Sequence, residues 1–203
     1  MAAWYERTIV PRLVDAEMGS GELDARRREV LADASGIVLE IGSGSGHNLR
    51  FYPKVSRLYA LDPSKELIDI ARGRASGLAF PVEFLNAGAE EIPLPDHSVD
   101  SVVSTWSLCS VADPARALQE VRRVLVPQGI FTCFDHGASP DRFMRSMQTA
   151  FTTVTKHLSG NCHYDRPIDD LLRTAGFDVR SITRSREPSS LLIHNYRCIV
   201  AAP

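Results

Sequence analysis

Cysteine is scarce in this sequence, and its spacing predicts neither a disulfide scaffold nor a metal site. The 203 residues contain four cysteines, Cys109, Cys133, Cys162 and Cys198, and no two of them form a C-x-x-C pair. Small secreted domains and zinc sites depend on closely spaced cysteines. We therefore expect a protein of a reducing compartment, with no zinc and no other metal cofactor.

Long apolar runs and an excess of charge are missing as well. No apolar run reaches the roughly 18 residues needed to span a bilayer, and residues 1–10 lack the apolar stretch of a signal peptide. A formal net charge of −2 gives no electrostatic reason to expect a nucleic-acid partner. These absences predict a cytoplasmic protein without a transmembrane segment. They leave peripheral contact with a membrane and the oligomeric state open.

The chain shows no internal repeat, low-complexity tract or linker, so its 203 residues predict one domain. Apolar runs alternate with amphipathic segments, a pattern typical of a parallel sheet covered by helices on both faces. The last two apolar runs have no helix between them, which predicts an antiparallel hairpin at one edge. The predicted strands are 37–41, 55–61, 82–85, 99–105, 130–134, 177–183 and 194–201. The predicted helices are 4–18, 22–34, 48–52, one after Pro63, one after Asp113-Pro114, 140–158 and 167–175.

Alternating glycines follow the first predicted strand. The run 38–41 leads into Gly42-Ser43-Gly44-Ser45-Gly46, and the next strand ends at Asp62. Glycines at this spacing let the backbone turn tightly and approach a ligand that a Cβ would block. His47 stands where the dinucleotide fingerprint G-x-G-x-x-G needs its third glycine, so the loop does not predict a dinucleotide. By itself the loop also fits an ordinary strand-to-helix turn of an α/β protein.

The segment from Glu40 to Gly46 resembles motif I (E/D-x-G-x-G-x-G) of class I S-adenosylmethionine-dependent methyltransferases. The resemblance is close over 37–135 and implies an α/β fold. That fold has a doubly wound, seven-stranded, mostly parallel Rossmann-like sheet with a C-terminal antiparallel hairpin and helical lid elements. S-adenosylmethionine would bind at the carboxyl ends of the strands. The single domain, 1–203, would comprise N-terminal helices or a lid (1–36), the cofactor-binding core (37–135), an acceptor-site insertion (136–166) and a C-terminal helix and hairpin (167–203).

The resemblance also assigns residues to the cofactor. Glu40 would anchor the cofactor's ammonium group or stabilise the loop alone. Asp62 would accept hydrogen bonds from both ribose hydroxyls, cap the following helix, or do both. Trp106 would lie beside the methionine arm or pack in the core. The full predicted set is Glu40, Gly42, Ser43, Gly44, Gly46, Asn48, Asp62, Pro63, Ala89, Glu90, Thr105 and Trp106.

A further sequence segment corresponds to the part of the predicted site that would hold the adenine. Asn86-Ala87-Gly88-Ala89-Glu90-Glu91-Ile92-Pro93, followed by residues 96–100, resembles the "D-A-E-x-L-P…D-x-S-F-D" region of ubiquinone/menaquinone-biosynthesis-type methyltransferases. In that group the first acid commonly bonds the adenine amino group. Gly88 takes that position here, so adenine recognition is assigned to the backbone near Ala89 or to Glu90.

The methyl acceptor is expected just past the fifth strand. His136 is the candidate catalytic base, because an imidazole can take a proton from a thiol, phenol or ammonium near neutral pH. The alternative is a structural histidine bonded to a neighbouring loop. The 140–158 helix carries an apolar stripe that either packs in the core or roofs a small or medium apolar acceptor. The stripe consists of Phe143, Met147, Phe151, Val154 and Leu158.

A narrower resemblance favours a thiol as the acceptor. The segments 105–111, 135–136 and 160–162, together with Arg166, resemble parts of methyltransferase-like proteins that S-methylate alkyl thiols at the endoplasmic reticulum and lipid droplets. Those proteins carry an N-terminal hydrophobic anchor that this sequence lacks, which favours a soluble relative. Cys109 and Cys162 are expected to be packing residues. The alternatives are a lipid-amine or quinone-type acceptor, and a non-catalytic sensor of S-adenosylmethionine or S-adenosylhomocysteine.

Overall fold

A computed structural model describes residues 12, 15–16, 18–53, 55–155, 161–187 and 190–203. The helix expected over 4–18 falls almost wholly outside these residues. The strands are β1 (Ile37–Ile41), β2 (Arg57–Leu61), β3 (Val82–Leu85), β4 (Val99–Thr105), β5 (Leu125–His136), β6 (Asp178–Arg186) and β7 (His194–Ala201). The α-helices are α1 (Asp24–Leu31), α2 (Lys65–Arg74), α3 (Pro114–Val124), α4 (Arg142–Thr155) and α5 (Ile168–Thr174), and Gly21–Leu23 and Leu49–Phe51 form 3₁₀ turns.

The seven strands form one sheet in the order β3-β2-β1-β4-β5-β7-β6. The first five strands pair in parallel, whereas β7 pairs antiparallel with both β5 and β6. This confirms the predicted doubly wound α/β fold with its antiparallel C-terminal strands. Strand order reverses between β1 and β4, and in open α/β sheets ligands bind in the crevice at such a reversal.

Local chemistry explains where the helices beside this crevice begin. Ser64 caps α2, because its hydroxyl accepts a hydrogen bond from the Leu67 backbone N–H. Asp113 caps α3 in the same way through the Arg116 N–H, and Pro114 stands at the first helical position, where no N–H is needed. Both helices therefore start close to the carboxyl ends of the strands.

Two hydrophobic clusters form the core. The larger packs α3 and α5 against the sheet and includes Phe131 and Leu118. The smaller packs α1 and the Leu49–Phe51 turn, and includes Leu31 and Val38. Leu39 belongs to the larger cluster and its neighbour Val38 to the smaller one. Successive side chains of a strand point to opposite faces, so the two clusters cover opposite faces of the sheet.

The structure differs from the sequence expectation in the 140–158 segment. In α4 the apolar residues Phe143 and Val154 are 72% and 73% exposed, while the polar Gln148 is fully buried. The Gln148 amide explains this orientation: it accepts a hydrogen bond from the Ser139 N–H and donates to the Gly137 and Leu192 carbonyls. Phe143, Met147 and Val154 are therefore not core residues, and a buried amide anchors the helix instead; Leu158 lies outside the described residues.

Several predicted boundaries also shift. The strand expected at 130–134 extends over Leu125–His136, because Leu125 already pairs with Val99 across a register shift. The helix expected at 48–52 is a single 3₁₀ turn, Leu49–Phe51. Within the described ranges, no helix is both long enough and apolar enough to cross a bilayer.

Candidate active site

A cavity of about 550 Å³ opens at the carboxyl ends of β1, β2 and β4. Eleven of the twelve residues predicted for the cofactor line it. The exception is Gly46, where a Cβ would meet Leu49 and Ala71 within 3.2 Å, so this glycine allows close packing of α2 on the loop. The lining residues are Glu40, Gly42, Ser43, Gly44, Asn48, Asp62, Pro63, Ala89, Glu90, Thr105 and Trp106.

The other two glycines of the loop, Gly42 and Gly44, have different structural roles. Gly42 has a φ of +65°, and a Cβ there would lie 2.0 Å from the Ser107 Oγ. Gly44 has a φ of +54°, but a Cβ there would meet no described atom within 4 Å. Gly42 is thus required by the protein's own packing, whereas Gly44 faces space that a ligand can fill.

Asp62 ties this loop to the start of α2. One carboxylate oxygen accepts a hydrogen bond from the Gly44 N–H and the other from the Ser64 N–H, both at 2.8 Å. Burial raises the pKa of Asp62, and these two bonds oppose the shift. Each oxygen keeps lone-pair capacity for a further donor. The carboxylate can therefore hold the loop and accept hydrogen bonds from a ligand together.

Glu40 lies at the centre of a buried polar network beneath the loop. Its carboxylate accepts hydrogen bonds from Asn48 Nδ2 at 2.7 Å and from the Tyr52 hydroxyl at 2.9 Å. Burial raises the pKa of Glu40 to about 7, against the opposing effects of Asn48, Tyr52 and the Arg27 charge. A bound cation would replace the missing solvation and favour the ionised carboxylate.

Arg27 is a site residue that the sequence motifs did not reveal. It lies in α1, is buried and lines the cavity. Its guanidinium donates to Asn48 Oδ1 at 3.1 Å and stacks 5.0 Å from the centre of the Trp106 ring. No pattern around α1 marks this arginine, because its partners Asn48 and Trp106 lie 21 or more residues away in the chain.

A strained backbone position lies at the end of β4. Trp106 has a φ of +52°, which is uncommon for a bulky residue. Its N–H donates to the Phe134 carbonyl, and its ring packs edge-on against the Phe134 ring at 5.2 Å. The strained turn directs the chain so that Thr105 and Trp106 both line the cavity. Such outliers occur preferentially at ligand sites.

Glu90 lines the cavity but is already engaged with the protein. Its Oε1 accepts hydrogen bonds from the Ala112 and Asp113 N–H groups, just before α3. The carboxylate thus secures the 110–113 turn. Its neighbour Ala89 brings backbone groups to the same wall of the cavity.

His136 lies at the end of β5, behind the wall formed by Leu108 and Ser110. Its Nδ1 is 3.1 Å from the Cys162 Sγ and 3.8 Å from the Cys109 Sγ, and the two sulfurs are 3.4 Å apart. Burial lowers the pKa of His136, but its interactions with Cys109 and Asp135 outweigh burial, so the net shift is upward. His136 is not among the side chains that line the cavity. The fold thus brings together a histidine and two cysteines that are 26 and 27 residues apart in sequence.

The groups that line the cavity suit the chemical groups of S-adenosylmethionine. A buried carboxylate at Glu40 suits an ammonium group, and open space at Gly44 lets backbone approach a ligand. Among the residues that the structure describes, the buried Ser43 hydroxyl has no hydrogen-bond partner, so it is free to bind one.

Comparisons with known proteins point to one family. Residues 39–133 match the family model described as "Methyltransferase domain". The chain is 33% identical over 179 residues to human thiol S-methyltransferase TMT1B, covering 82% of this chain and 73% of that protein. It is 41% identical over 178 residues to the uncharacterized methyltransferase Rv3342 of Mycobacterium tuberculosis, covering 77% of this chain and 71% of that protein.

Solved structures share the fold. A SAM-dependent methyltransferase from Aquifex aeolicus superposes with a TM-score of 0.67, covering 97% of this chain and 100% of that one at 17% identity. At that identity the likeness speaks for the fold alone. The level and extent of identity to the curated relatives, together with the glycine loop and its carboxylates, show that the chain belongs to the class I S-adenosylmethionine-dependent methyltransferases.

Proposed function

We propose that this methyltransferase transfers the methyl group of S-adenosylmethionine to the sulfur of a small or medium apolar thiol. One observation carries the proposal: the segments that resemble thiol-methylating relatives meet in one place. The 105–111 turn, His136 at the end of β5, and 161–166 are joined by the Cys109–His136–Cys162 contacts. Arg166 reinforces the junction by donating to the Leu108 and Val111 carbonyls.

The donor half of the site would be held by the loop and its two carboxylates. Glu40 would receive the ammonium group, Asp62 the ribose hydroxyls, and the amides of the glycine loop the carboxylate. Thr105 and Trp106 would flank the methionine arm, with Ser43, Asn48 and Pro63 completing this half. The backbone near Ala89 would receive the adenine, with Glu90 fixing the adjacent wall.

The acceptor half would be formed by the wall around Leu108, with His136 behind that wall. When bound, S-adenosylmethionine supplies a methyl group on a sulfonium, which reacts with a nucleophile by in-line displacement. The chain's task is then to place the acceptor sulfur in line, exclude water and remove the thiol proton. We assign proton removal to His136, the catalytic residue of this proposal, and no nucleic acid or other polymer is expected as substrate.

A panel of acceptors with radiolabelled S-adenosylmethionine tests this function. We expect label transfer to apolar alkyl or aryl thiols and little transfer to matched alcohols and amines. The Asp62→Ala variant should lose this transfer, and Asp69→Ala, which removes an exposed carboxylate of α2, should retain it. Preferential labelling of a lipid amine or a quinone-type phenol would contradict the thiol assignment. Tight donor binding with no transfer to any acceptor would point to a sensor.

A further inference from the structure

Three metal-ligating side chains from separate parts of the chain lie within 4.8 Å of one another behind the cavity wall. Cys109 follows β4, His136 ends β5, and Cys162 belongs to the segment between α4 and α5. The three pairs of donor atoms, Sγ to Sγ, Nδ1 to Cys162 Sγ and Nδ1 to Cys109 Sγ, are separated by 3.4, 3.1 and 3.8 Å. Cys109 and Cys162 are both buried and form no disulfide.

Backbone contacts fix the positions of these side chains. The buried Asp135 carboxylate accepts a hydrogen bond from the Cys109 N–H at 3.2 Å and another from the Ser104 hydroxyl. Next to Cys162, the His163 N–H donates to the Cys109 carbonyl at 3.0 Å. The two cysteine-bearing segments are therefore bonded directly to each other, and the cluster does not depend on side-chain packing alone.

The donor set and its spacing suit zinc. Zinc binds thiolates at about 2.3 Å and imidazole at about 2.0–2.1 Å in tetrahedral geometry. Those lengths imply about 3.8 Å between two sulfurs and about 3.5 Å between sulfur and nitrogen. The observed separations of 3.4, 3.1 and 3.8 Å need shifts of a few tenths of an ångström to reach them. Two thiolates would neutralise the dication, and the nearby buried Arg166 and Asp135 offset one another's charge.

Three protein ligands leave the fourth tetrahedral position open, as in catalytic zinc sites. The residues on either side of Cys109, Leu108 and Ser110, both line the cavity, so the cluster backs onto the space proposed for the acceptor. We propose that Cys109, His136 and Cys162 bind a zinc ion whose fourth ligand is the sulfur of the methyl acceptor. The metal site stands on the three side chains, while the identity of the fourth ligand rests on the proposed function.

With zinc bound, His136 would assist removal of the thiol proton through the metal that it holds, and its ring would not accept the proton itself. The acceptor thiol displaces a zinc-bound water and releases its proton to solvent, leaving a zinc-bound thiolate. The thiolate sulfur forms a bond to the methyl carbon as the bond from that carbon to the sulfonium sulfur breaks. The electron pair of the broken bond stays on the sulfur of S-adenosylhomocysteine. The product thioether is neutral and a weaker ligand, so water can replace it.

Metal binding is tested first, on the full chain and without any turnover. We expect one equivalent of zinc per chain after dialysis against zinc and removal of the excess. Cys162→Ser and His136→Ala should weaken zinc binding at least about 100-fold, since losing even a second-shell partner costs 10–100-fold. Cys198→Ala is the matched control, because Cys198 is buried opposite Cys133 across β5 and β7, away from the cluster. It should bind zinc as the unaltered protein does.

Retained S-adenosylmethionine binding shows that each variant is folded. An unaltered protein that binds no zinc, or zinc binding equal in Cys162→Ser and the control, would overturn the site. A Cys109–Cys162 disulfide that persists in the presence of a thiol reductant would overturn it as well.

The fourth ligand is tested with cobalt in place of zinc. We expect an apolar thiol, added without S-adenosylmethionine, to strengthen the sulfur-to-cobalt charge-transfer absorption, and the corresponding alcohol to leave it unchanged. An unchanged spectrum with the thiol would overturn the role of the fourth ligand. Thiol methylation by metal-free protein at the full rate would overturn the zinc proposal and leave the proposed function standing. Thiol coordination without methylation of any thiol would instead contradict the proposed function.

Discussion

Asp62 holds the glycine loop and, in the proposed function, also binds the ligand. Both of its oxygens already hold backbone N–H groups, so Asp62→Ala removes a ligand contact and also loosens the Gly44 turn. We expect S-adenosylmethionine affinity to fall by about 1.5–3 kcal/mol, the scale of hydrogen bonds to a charged group. Isothermal titration of the folded variant, with Asp69→Ala as control, measures this. An unaltered affinity would remove Asp62 from the site.

Glu40 makes the stability of the ligand-free protein depend on pH. Burial raises its pKa from 4.5 to about 7, so the folded chain retains a proton that the unfolded chain releases between these values. The free energy of unfolding should therefore fall as pH rises from 4.5 to 7, by on the order of 3 kcal/mol for this group. In Glu40→Gln the amide mimics the protonated carboxyl and should be more stable than the unaltered protein above pH 7, with no difference near pH 4.

Chemical denaturation at several pH values gives that comparison. Parallel stability profiles for the two proteins would show that Glu40 is already ionised in the free protein. The same variant should bind S-adenosylmethionine more weakly, because an amide offers the ligand's ammonium no charge.

In the proposed function His136 acts on the methyl acceptor, whereas Glu40 and Asp62 hold S-adenosylmethionine. Substituting His136 should therefore affect turnover and not cofactor affinity. His136→Ala should leave S-adenosylmethionine affinity unchanged and lower turnover by about 10²–10⁴-fold, the usual worth of assisted proton removal. The loss should diminish at pH values above the pKa of the acceptor thiol, since an ionised thiol needs no such help. A ratio of variant to unaltered rates near one at every pH would contradict the assignment.

Within the loop between β1 and Leu49–Phe51, two glycines of the same conformation should respond differently to substitution. Gly42→Ala places a Cβ 2.0 Å from the Ser107 Oγ, so it should destabilise the fold. Gly44→Ala meets no described atom and should be folded but bind S-adenosylmethionine more weakly. Both substitutions also carry the cost of a positive φ, about 1 kcal/mol.

Thermal unfolding and ligand titration of the two variants separate these effects. Adding Ser107→Gly to Gly42→Ala should restore part of the lost stability, because it removes the colliding atom. Equal loss of stability in the two single variants would show that the strained φ, and not the space around each Cβ, is what matters.

Element boundaries on the sheet followed from sequence wherever the signal was local. The strands β1, β3, β4 and β7 have the predicted bounds, and each contains the β-branched or aromatic residues that favour strands. The face that α4 presents could not be predicted, since the carbonyl of Leu192 that binds Gln148 lies 44 residues away. The helix pattern was correct, but Phe143, Met147 and Val154 of its apolar stripe are exposed.

Across the whole molecule, many of the residues that line the cavity could be predicted from sequence, whereas the cluster behind its wall could not. The donor residues stand in short motifs at strand ends, and eleven of the twelve line one cavity. The cluster of Cys109, His136 and Cys162 is formed by residues 26 and 27 positions apart, a spacing wider than that within the short cysteine and histidine motifs of zinc sites. The sequence prediction of no metal site considered spacing along the chain, whereas the cluster depends on how β4, β5 and the 161–166 segment come together.

The strand order has a consequence for how the protein is synthesised. β7 is the last strand in the chain, yet it lies between β5 and β6 in the sheet. β5 and β6 do not pair with each other. While the chain emerges from a ribosome, the parallel strands can pair in turn, but β6 has no neighbour until residues 194–201 leave the exit tunnel. We expect stalled nascent chains that end at residue 193, followed by a linker long enough to fill the exit tunnel, to protect β1–β4 from protease and to leave β6 open to cleavage. Protection of β6 in such stalled chains would mean that it first pairs elsewhere and must be displaced as β7 arrives.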